Sequence, residues 1–132
     1  MKAIRKAGAL IFNDKKLLVV KPRKKPFFIN PGGKYEEGEN AEQCLKRELM
    51  EELGVDLISL NPFKNYNIDK AAHSDKELLL ELYTVKVRGV PKPSSEIESI
   101  EWLGRKDFEQ KKFNLAPSFY KFVPELIRAG LL

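Results

Sequence analysis

Two apolar runs near the start of the chain predict a β-hairpin. The runs AGALIF (7–12) and KLLVVK (16–21) are rich in residues that favour strands, and Asn13 and Asp14 supply a turn between them. Further stretches of alternating or continuous apolar residues predict strands at 55–60, 76–89 and 100–104.

A repeat of apolar residues at every fourth position predicts a helix from Ala41 to Leu53. Asn40 precedes the repeat and is a typical N-cap, while Gly54 stands where a helix C-cap belongs. A second helix is expected in the last stretch, 117–132, where Pro124 should kink or restart it.

Strands on both sides of a central helix, with another helix at the end, indicate an α/β sandwich. The length of 132 residues fits one domain, 1–132. The only apolar run near the start, 7–12, is too short for a signal-peptide core or a membrane span, so a cytoplasmic protein without a membrane partner is expected. Cys44 is the single cysteine and is expected to be a small buried side chain.

Charge is distributed unevenly along the chain, although the net value is +5. Residues 1–35 carry ten Lys and Arg against one Asp, whereas residues 36–56 carry two basic residues against eight acidic ones. A basic surface alone would fit nucleic acid, but an acidic helix beside it does not. A polyphosphate substrate held with a divalent metal ion explains both segments, and nucleic acid is not expected as a partner.

Three glutamates, Glu48, Glu51 and Glu52, crowd the end of the predicted central helix. Like charges at these spacings are unfavourable, and acids in a last turn face the negative end of the helix dipole. One explanation is a solvated acidic face that Lys46 and Arg47 partly neutralise. The alternative is a site of hard oxygen ligands suited to Mg²⁺ or Mn²⁺, and a neighbouring Gly-Gly loop favours it.

The segment around these glutamates resembles the Nudix box of MutT-like hydrolases. The pattern is Gly, any five residues, Glu, any seven, Arg-Glu, an aliphatic, any one, Glu-Glu, any one, Gly and an aliphatic. Agreement at so many specified positions is far more specific than a short glycine motif. We call residues 33–55 the box segment; the matching residues are Gly33, Glu39, Arg47, Glu48, Leu49, Glu51, Glu52, Gly54 and Val55.

The resemblance implies the Nudix fold, a mixed β-sheet in an α/β/α sandwich, and hydrolysis of a nucleoside diphosphate linked to a further group X. It implies Mg²⁺, with Mn²⁺ as an alternative. Carried over by position, Glu48, Glu51 and Glu52 are metal ligands or water activators, the Gly33 carbonyl is a further ligand, and Arg47 orients a glutamate. Glu48 is our choice of general base.

A more distant acid is also expected at the site. Glu96 lies six residues before Trp102, where the chain resembles the family's distal acid, and it is our candidate for a further catalytic and metal-binding residue. Glu98 and Glu101 are its rivals. Glu39, at the helix start, is expected to brace the loop through backbone N–H groups rather than to contact metal.

Candidates for substrate binding are Arg23, Lys34, Phe28 and Asn114. Arg23 belongs to a basic loop that could hold phosphates, although such loops are usually only solvated. Phe28 could stack on a base, yet aromatic residues in apolar strands are mostly core. Asn114 could read a base edge or could simply form a turn. The single histidine, His73, is expected to be neither a ligand nor a base.

Within the implied class, a (d)NTP pyrophosphohydrolase is the first choice, because the chain shows no additional domain for a second nucleoside or a sugar. Hydrolysis of ADP-ribose, a nucleotide sugar or a dinucleoside polyphosphate is the alternative. A non-catalytic module that binds nucleotide or RNA would more naturally carry a degraded box, and this one is intact. A monomer or homodimer is expected.

Overall fold

The computed structural model describes residues 4–68 and 77–132, so His73 lies outside the described residues. The elements follow one another along the chain as β1 (Ile4–Leu10), β2 (Phe12–Asn13), β3 (Lys16–Pro22), β4 (Gly32–Lys34), α1 (Ala41–Leu53), β5 (Asp56–Ile68), β6 (Leu78–Arg88), β7 (Ile97–Leu103), α2 (Arg105–Glu109) and α3 (Phe119–Arg128).

These strands form two sheets. The larger has the order β4-β1-β6-β5, in which β1 and β6 run parallel and the other neighbours run antiparallel. The smaller has the order β2-β3-β7 and is antiparallel throughout. The predicted hairpin is confirmed by the pairing of Phe12 with Leu17, but its turn lies at Asp14 and Lys15 rather than at Asn13 and Asp14, because Asn13 pairs with Lys16. The larger sheet is mixed, as expected.

The two long helices cover opposite faces of the strands. Along β3, Leu18 and Val20 pack with α1, whereas Leu17 and Val19 pack in the cluster that contains α3. This alternation is the period-two geometry of a strand that is buried on both faces. The result is the predicted α/β/α sandwich, with one apolar core on each side.

Helix α1 begins and ends at the predicted residues. The Asn40 side chain accepts a hydrogen bond from the Gln43 N–H at 2.8 Å, and the Gln43 side chain accepts one from the Asn40 N–H at 2.9 Å. Gly54 adopts a left-handed conformation with φ of 66° and donates its N–H to the Leu49 and Met50 carbonyls. These caps satisfy backbone groups that a helix leaves unpaired at its ends.

Two prolines are accommodated differently from what the pattern indicates. Strand β5 continues through Pro62, well beyond the predicted end at residue 60, because it is an edge strand and its register shifts at this point. Helix α3 also runs without interruption through Pro124, so the helix does not restart there, and a kink at Pro124 stays a prediction. The buried face around Phe119 and Phe122 holds this helix on the sheet despite the missing N–H.

Two short elements were not predicted. Residues 32–34 form strand β4 at the edge of the larger sheet, although the paired glycines favour a loop. Residues 105–109 form α2, where the Asp107 side chain accepts a hydrogen bond from the Gly104 N–H at 2.8 Å. Across 4–68 and 77–132, no helix has both the length and the apolar character that crossing a membrane requires.

Candidate active site

Two glycines bring strand β4 against both β1 and α1. A Cβ atom on Gly33 would lie 2.7 Å from the carboxyl carbon of Glu48, so a side chain here would displace that carboxylate. Gly32 has φ of +129°, and a Cβ atom would lie 2.1 Å from the Ala7 carbonyl oxygen. Only glycine fits either position without a shift of the backbone or of Glu48.

Glu52 turns its carboxylate back onto this strand. Its Oε1 accepts a hydrogen bond from the Gly32 N–H at 2.8 Å. Burial raises the pKa of Glu52 to about 8, and the hydrogen bond from Gly32 opposes that rise. Glu48 and Glu51 raise the Glu52 pKa further because their charges have the same sign. The negative charge of the Glu52 carboxylate is therefore poorly compensated, and a bound cation would stabilise it.

Arg47 joins the loop to the helix. Its Nε donates to Glu39 Oε2 at 2.8 Å, its Nη1 donates to Glu48 Oε1 at 2.6 Å, and its Nη2 donates to the Lys34 carbonyl at 3.2 Å. Glu39 also accepts from the Glu36 N–H at 2.8 Å, which confirms that it braces the loop. Hydrogen bonding to Arg47 lowers the pKa of Glu39 to about 2.

The two glutamates beside Arg47 differ in exposure. Burial raises the pKa of Glu48, and the hydrogen bond from Arg47 only partly opposes this. Glu51 projects into solvent, with 55% of its side chain exposed, and one of its carboxylate oxygens lies 3.9 Å from Arg47 Nη1. Glu51 is therefore the most exposed of the three carboxylates.

The donor set fits a hard divalent cation in its chemistry. Three carboxylates and the carbonyls of a Gly-Gly strand supply only oxygen, the ligand that Mg²⁺ and Mn²⁺ prefer. In the part of the chain that the structure describes, no three such side chains already stand in a metal-holding group. Glu48 is hydrogen-bonded to Arg47 and the Glu51 side chain is exposed, so Glu51 at least would have to turn to join Glu48 and Glu52 around an ion.

The segment before β7 completes the C-terminal end of α1. The Lys92 N–H donates to the Leu53 carbonyl at 3.1 Å, and the Ser94 N–H donates to the Glu52 carbonyl at 3.0 Å. Glu96 follows in the same segment; its side chain is exposed, and its carbonyl accepts from the Arg23 N–H at 2.8 Å. Glu96 thus lies in the segment that contacts the end of α1, and its catalytic role stays a prediction.

The rivals of Glu96 lie on the strand itself. Glu98 pairs with Lys21 at 3.0 Å on β3, so its carboxylate already has a cation partner. Glu101 is exposed and stands opposite Val19 in the register.

A cleft of about 310 Å³ opens next to the Gly-Gly strand, on the α3 side of the larger sheet. Its apolar part includes Phe27, Leu78 and Leu80. Its polar groups include Lys6, Lys25, Lys34, Asn30 and Ser118. An apolar cleft with a few polar groups at one side is the usual form of a small-molecule site.

The structure places the four predicted substrate-binding residues in different surroundings, although Phe28 and Asn114 are neighbours joined by a backbone hydrogen bond of 2.8 Å. Lys34 lines the cleft, whereas the Arg23 Nε donates to the Ser95 carbonyl at 3.2 Å. Phe28 packs edge-on against Phe113 with ring centroids 5.6 Å apart. The Asn114 side chain donates to the Pro26 carbonyl at 2.7 Å, in keeping with a loop-forming role. Substrate contact by each of the four stays a prediction.

Two polar residues of the cleft were missed from the sequence. Asn30 is buried, and its Nδ2 has no hydrogen-bond partner within residues 4–68 and 77–132. Lys6 interrupts the apolar positions of β1 on the side of Gly8 and Leu10. The alternation of β1 could have placed Lys6 on an inner face; Asn30 gave no comparable signal.

A further group of charged and polar side chains joins β1 and β6 to Tyr35 of the box segment. Glu81 on β6 is buried and accepts hydrogen bonds from Arg5 Nε at 2.6 Å and from the Tyr35 hydroxyl. The Arg5 guanidinium also lies 4.1 Å from the centre of the Tyr35 ring. Cys44 is buried, as expected, and burial raises the pKa of its thiol to about 11.

Comparison with known proteins identifies relatives along almost the whole chain. The family model described as NUDIX domain matches residues 2–126. The mRNA-decapping enzyme subunit 2 of Saccharomyces cerevisiae is 31% identical over 124 residues, which cover 90% of this chain but only 13% of that protein. The 8-oxo-dGTP diphosphatase of Buchnera aphidicola is 37% identical over 59 residues, or 42% of this chain and 45% of the relative.

Solved structures agree with the sequence matches. A structure of MutT, from work on the Aliivibrio salmonicida and Vibrio cholerae proteins, is 25% identical and covers 97% of this chain and 99% of its own. Its TM-score is 0.77.

Proposed function

The chain belongs to the Nudix family, and we propose that it hydrolyses a phosphoanhydride bond in a nucleoside diphosphate linked to a group X, with a divalent metal ion. One observation carries this proposal: the cleft with its lysines opens directly beside the Gly-Gly strand, which the Glu52 carboxylate contacts. A nucleotide in the cleft would present its phosphates to the acidic helix.

The residues that would hold the metal are Glu48, Glu51, Glu52 and the carbonyl of Gly33. Glu96 is proposed as a further ligand, because its segment closes the end of α1. When bound, a divalent ion of this kind offsets charge on phosphate oxygens and makes a bound water more acidic. We propose Mg²⁺ as the ion.

The remaining chemistry falls to side chains of the chain itself. We propose that Glu48 takes the proton from the attacking water while the water oxygen bonds to phosphorus and the bridging P–O bond breaks. Arg47 holds the Glu48 carboxylate in place through its 2.6 Å hydrogen bond. The electron pair of the broken bond leaves on the phosphate oxygen, and Glu52 and Glu96 are proposed to assist at the same centre.

A (d)NTP is the proposed substrate. Partial similarity to an 8-oxo-dGTP diphosphatase supports this choice, as does the whole-chain likeness to MutT. ADP-ribose, nucleotide sugars and dinucleoside polyphosphates are the alternatives. Similarity to the yeast decapping enzyme favours an RNA-linked substrate only weakly, since the chain spans 13% of that protein.

A panel of nucleotides, with product identity determined for each, tests the proposal. Turnover is expected with Mg²⁺ and is expected to be lost in EDTA. Glu48→Gln should lower kcat at least a hundredfold, about 2.7 kcal/mol of barrier. Glu42→Gln is the matched control, because Glu42 lies in the first turn of the same helix and is exposed. Binding without turnover of any nucleotide would instead identify a non-catalytic module.

A further inference from the structure

Lys6 is a cationic residue on β1 that lines the cleft. Gly8 and Leu10 lie on the same face of β1 as Lys6 and are both buried, and Lys6 itself is partly buried. Burial lowers the pKa of Lys6, and the charges of Lys25 and Lys34 lower it further. A lysine at this position is unfavourable for folding unless a counter-charge approaches it.

The protein itself supplies only a distant counter-charge. Glu52 and Glu48 favour the charged form of Lys6 through longer-range attraction. Among the residues that the structure describes, however, Lys6 makes no ion pair and no side-chain hydrogen bond. Removing a charge from water costs free energy, which an ion pair or a bound anion must offset.

The lysines of the cleft contrast with the other basic residues nearby. Lys21 pairs with Glu98 at 3.0 Å, and Arg23 donates to the Ser95 carbonyl at 3.2 Å. Lys6, Lys25 and Lys34 instead all line one cavity, and the Lys25 Nζ lies 5.7 Å from the centre of the Phe27 ring. Three lysines that line one cavity favour an anion with several charges.

We propose that Lys6, with Lys25 and Lys34, binds the phosphate chain of the substrate and favours a nucleoside triphosphate over a nucleoside diphosphate linked to an uncharged sugar. This inference rests on the proposed function and extends it to the residues that select the proposed triphosphate. Lys6 is a binding residue in this arrangement, because it would contact substrate oxygens without taking part in proton transfer.

Inorganic tripolyphosphate is the probe for the anion site, used in EDTA so that no metal ion contributes. It should raise the melting temperature of the wild-type protein, and Lys6→Met should reduce that shift by at least half. Lys21→Met is the matched control and should respond like the wild type, because Lys21 is paired outside the cleft. Without tripolyphosphate, Lys6→Met should melt at the same or a higher temperature, since it removes a desolvated charge.

Steady-state kinetics with Mg²⁺ provides the second readout. Lys6→Met should raise KM for a nucleoside triphosphate at least tenfold, with a smaller change in kcat, and Lys6→Arg should restore much of the loss. Wild type should prefer the triphosphate to a nucleoside diphosphate sugar.

Several outcomes would overturn the inference. An unchanged tripolyphosphate shift in Lys6→Met would remove Lys6 from the anion site. A much lower melting temperature without ligand would identify Lys6 as a counter-ion of Glu48 and Glu52. Faster hydrolysis of the diphosphate sugar would reject this selectivity, and the (d)NTP as substrate with it, while leaving hydrolysis of a nucleoside diphosphate linked to X intact. Conversely, loss of the tripolyphosphate shift in Lys6→Met, without turnover of any nucleotide by the wild type, would support the anion site and reject the hydrolase.

Discussion

At the N-terminal end of α1, Asn40 and Gln43 exchange hydrogen bonds between side chain and backbone, whereas at the C-terminal end Glu51 and Glu52 stand where the helix dipole is negative. The last turn carries no basic residue. The first end thus follows the usual rules of helix stability, and the second departs from them.

The comparison shows that the end of α1 that departs from the rules of helix stability is the end that carries the proposed metal ligands. Glu52 lies at the C-terminal end of α1, its carboxylate is buried, and its pKa is raised to about 8. Glu39 lies just before the N-terminal end, its carboxylate is hydrogen-bonded to Arg47, and its pKa is lowered to about 2. Substitutions at the two ends should therefore affect activity and stability in opposite proportions.

Replacing Glu52 by Gln should separate the two properties most strongly. Activity should fall at least a hundredfold, about 2.7 kcal/mol of barrier, because a ligand of the proposed metal is lost. In EDTA the variant should be as stable as the wild type or more stable by up to about 1 kcal/mol, since Gln replaces a buried carboxyl whose ionisation the fold disfavours. The Gln oxygen can still accept from the Gly32 N–H.

Urea unfolding in EDTA and in Mg²⁺ measures this difference. Mg²⁺ should stabilise the wild type more than Glu52→Gln, because only a bound ion shifts the folding equilibrium. A variant that is much less stable in EDTA would make Glu52 a structural brace, and full activity would remove it from the catalytic site.

Replacing Arg47 by Lys should affect both properties, since Arg47 spans the two ends. Lysine cannot reproduce the forked contacts to Glu39 and Glu48. We expect kcat/KM to fall roughly ten- to a hundredfold through misplacement of Glu48, and the melting temperature to fall as well. Lys46→Arg is a control on the exposed side of the helix. Wild-type kinetics in Arg47→Lys would show that Glu48 does not need this orientation.

Replacing Glu96 by Gln tests whether the segment that contacts the C-terminal end of α1 contributes a residue to the proposed hydrolysis. Turnover should fall at least tenfold, about 1.4 kcal/mol of barrier, with folding intact. Glu98→Gln is the matched comparison, because Glu98 pairs with Lys21. If Glu98→Gln shows the larger loss of turnover, the distal acid is Glu98 and the assignment of Glu96 is wrong.

Replacing Asn40 by Ala tests the N-terminal end of α1 and should give the smallest effect on activity. Loss of the N-cap should destabilise the protein by about 1 kcal/mol, measured by urea unfolding. Activity at a temperature where the variant stays folded should match the wild type. A tenfold loss of kcat under those conditions would mean that the cap also positions the glutamates proposed as catalytic.

Much of the fold was predictable because local signals agreed with the final packing. The leucine repeat and its flanking caps predict α1 to the residue, and the polar residues after Phe12 predict the hairpin turn to within one position. The box segment predicts which side chains meet at the site, since Arg47, Glu39 and Glu48 are close in sequence. These features depend on interactions within about twenty residues of chain.

The features that were missed depend on distant partners. Strand β4 exists because Gly33 pairs with Ala7, which no local pattern around the glycines reveals. The cleft joins Lys6 of β1 to Lys25 and to Ser118 near α3. Pro124 is tolerated only because α3 is packed on the sheet. Tertiary packing decided these positions, and local propensity did not.

The two hydrogen bonds from Lys92 and Ser94 to the carbonyls of Leu53 and Glu52 also bear on the order of folding. The box segment is contiguous, so its loop and helix can form early through local contacts. Its last turn, however, gains these partners only after some forty further residues have been arranged, and closing such a long loop is slow. The acidic end of α1 should therefore be the last part of the helix to gain protection from hydrogen exchange during refolding.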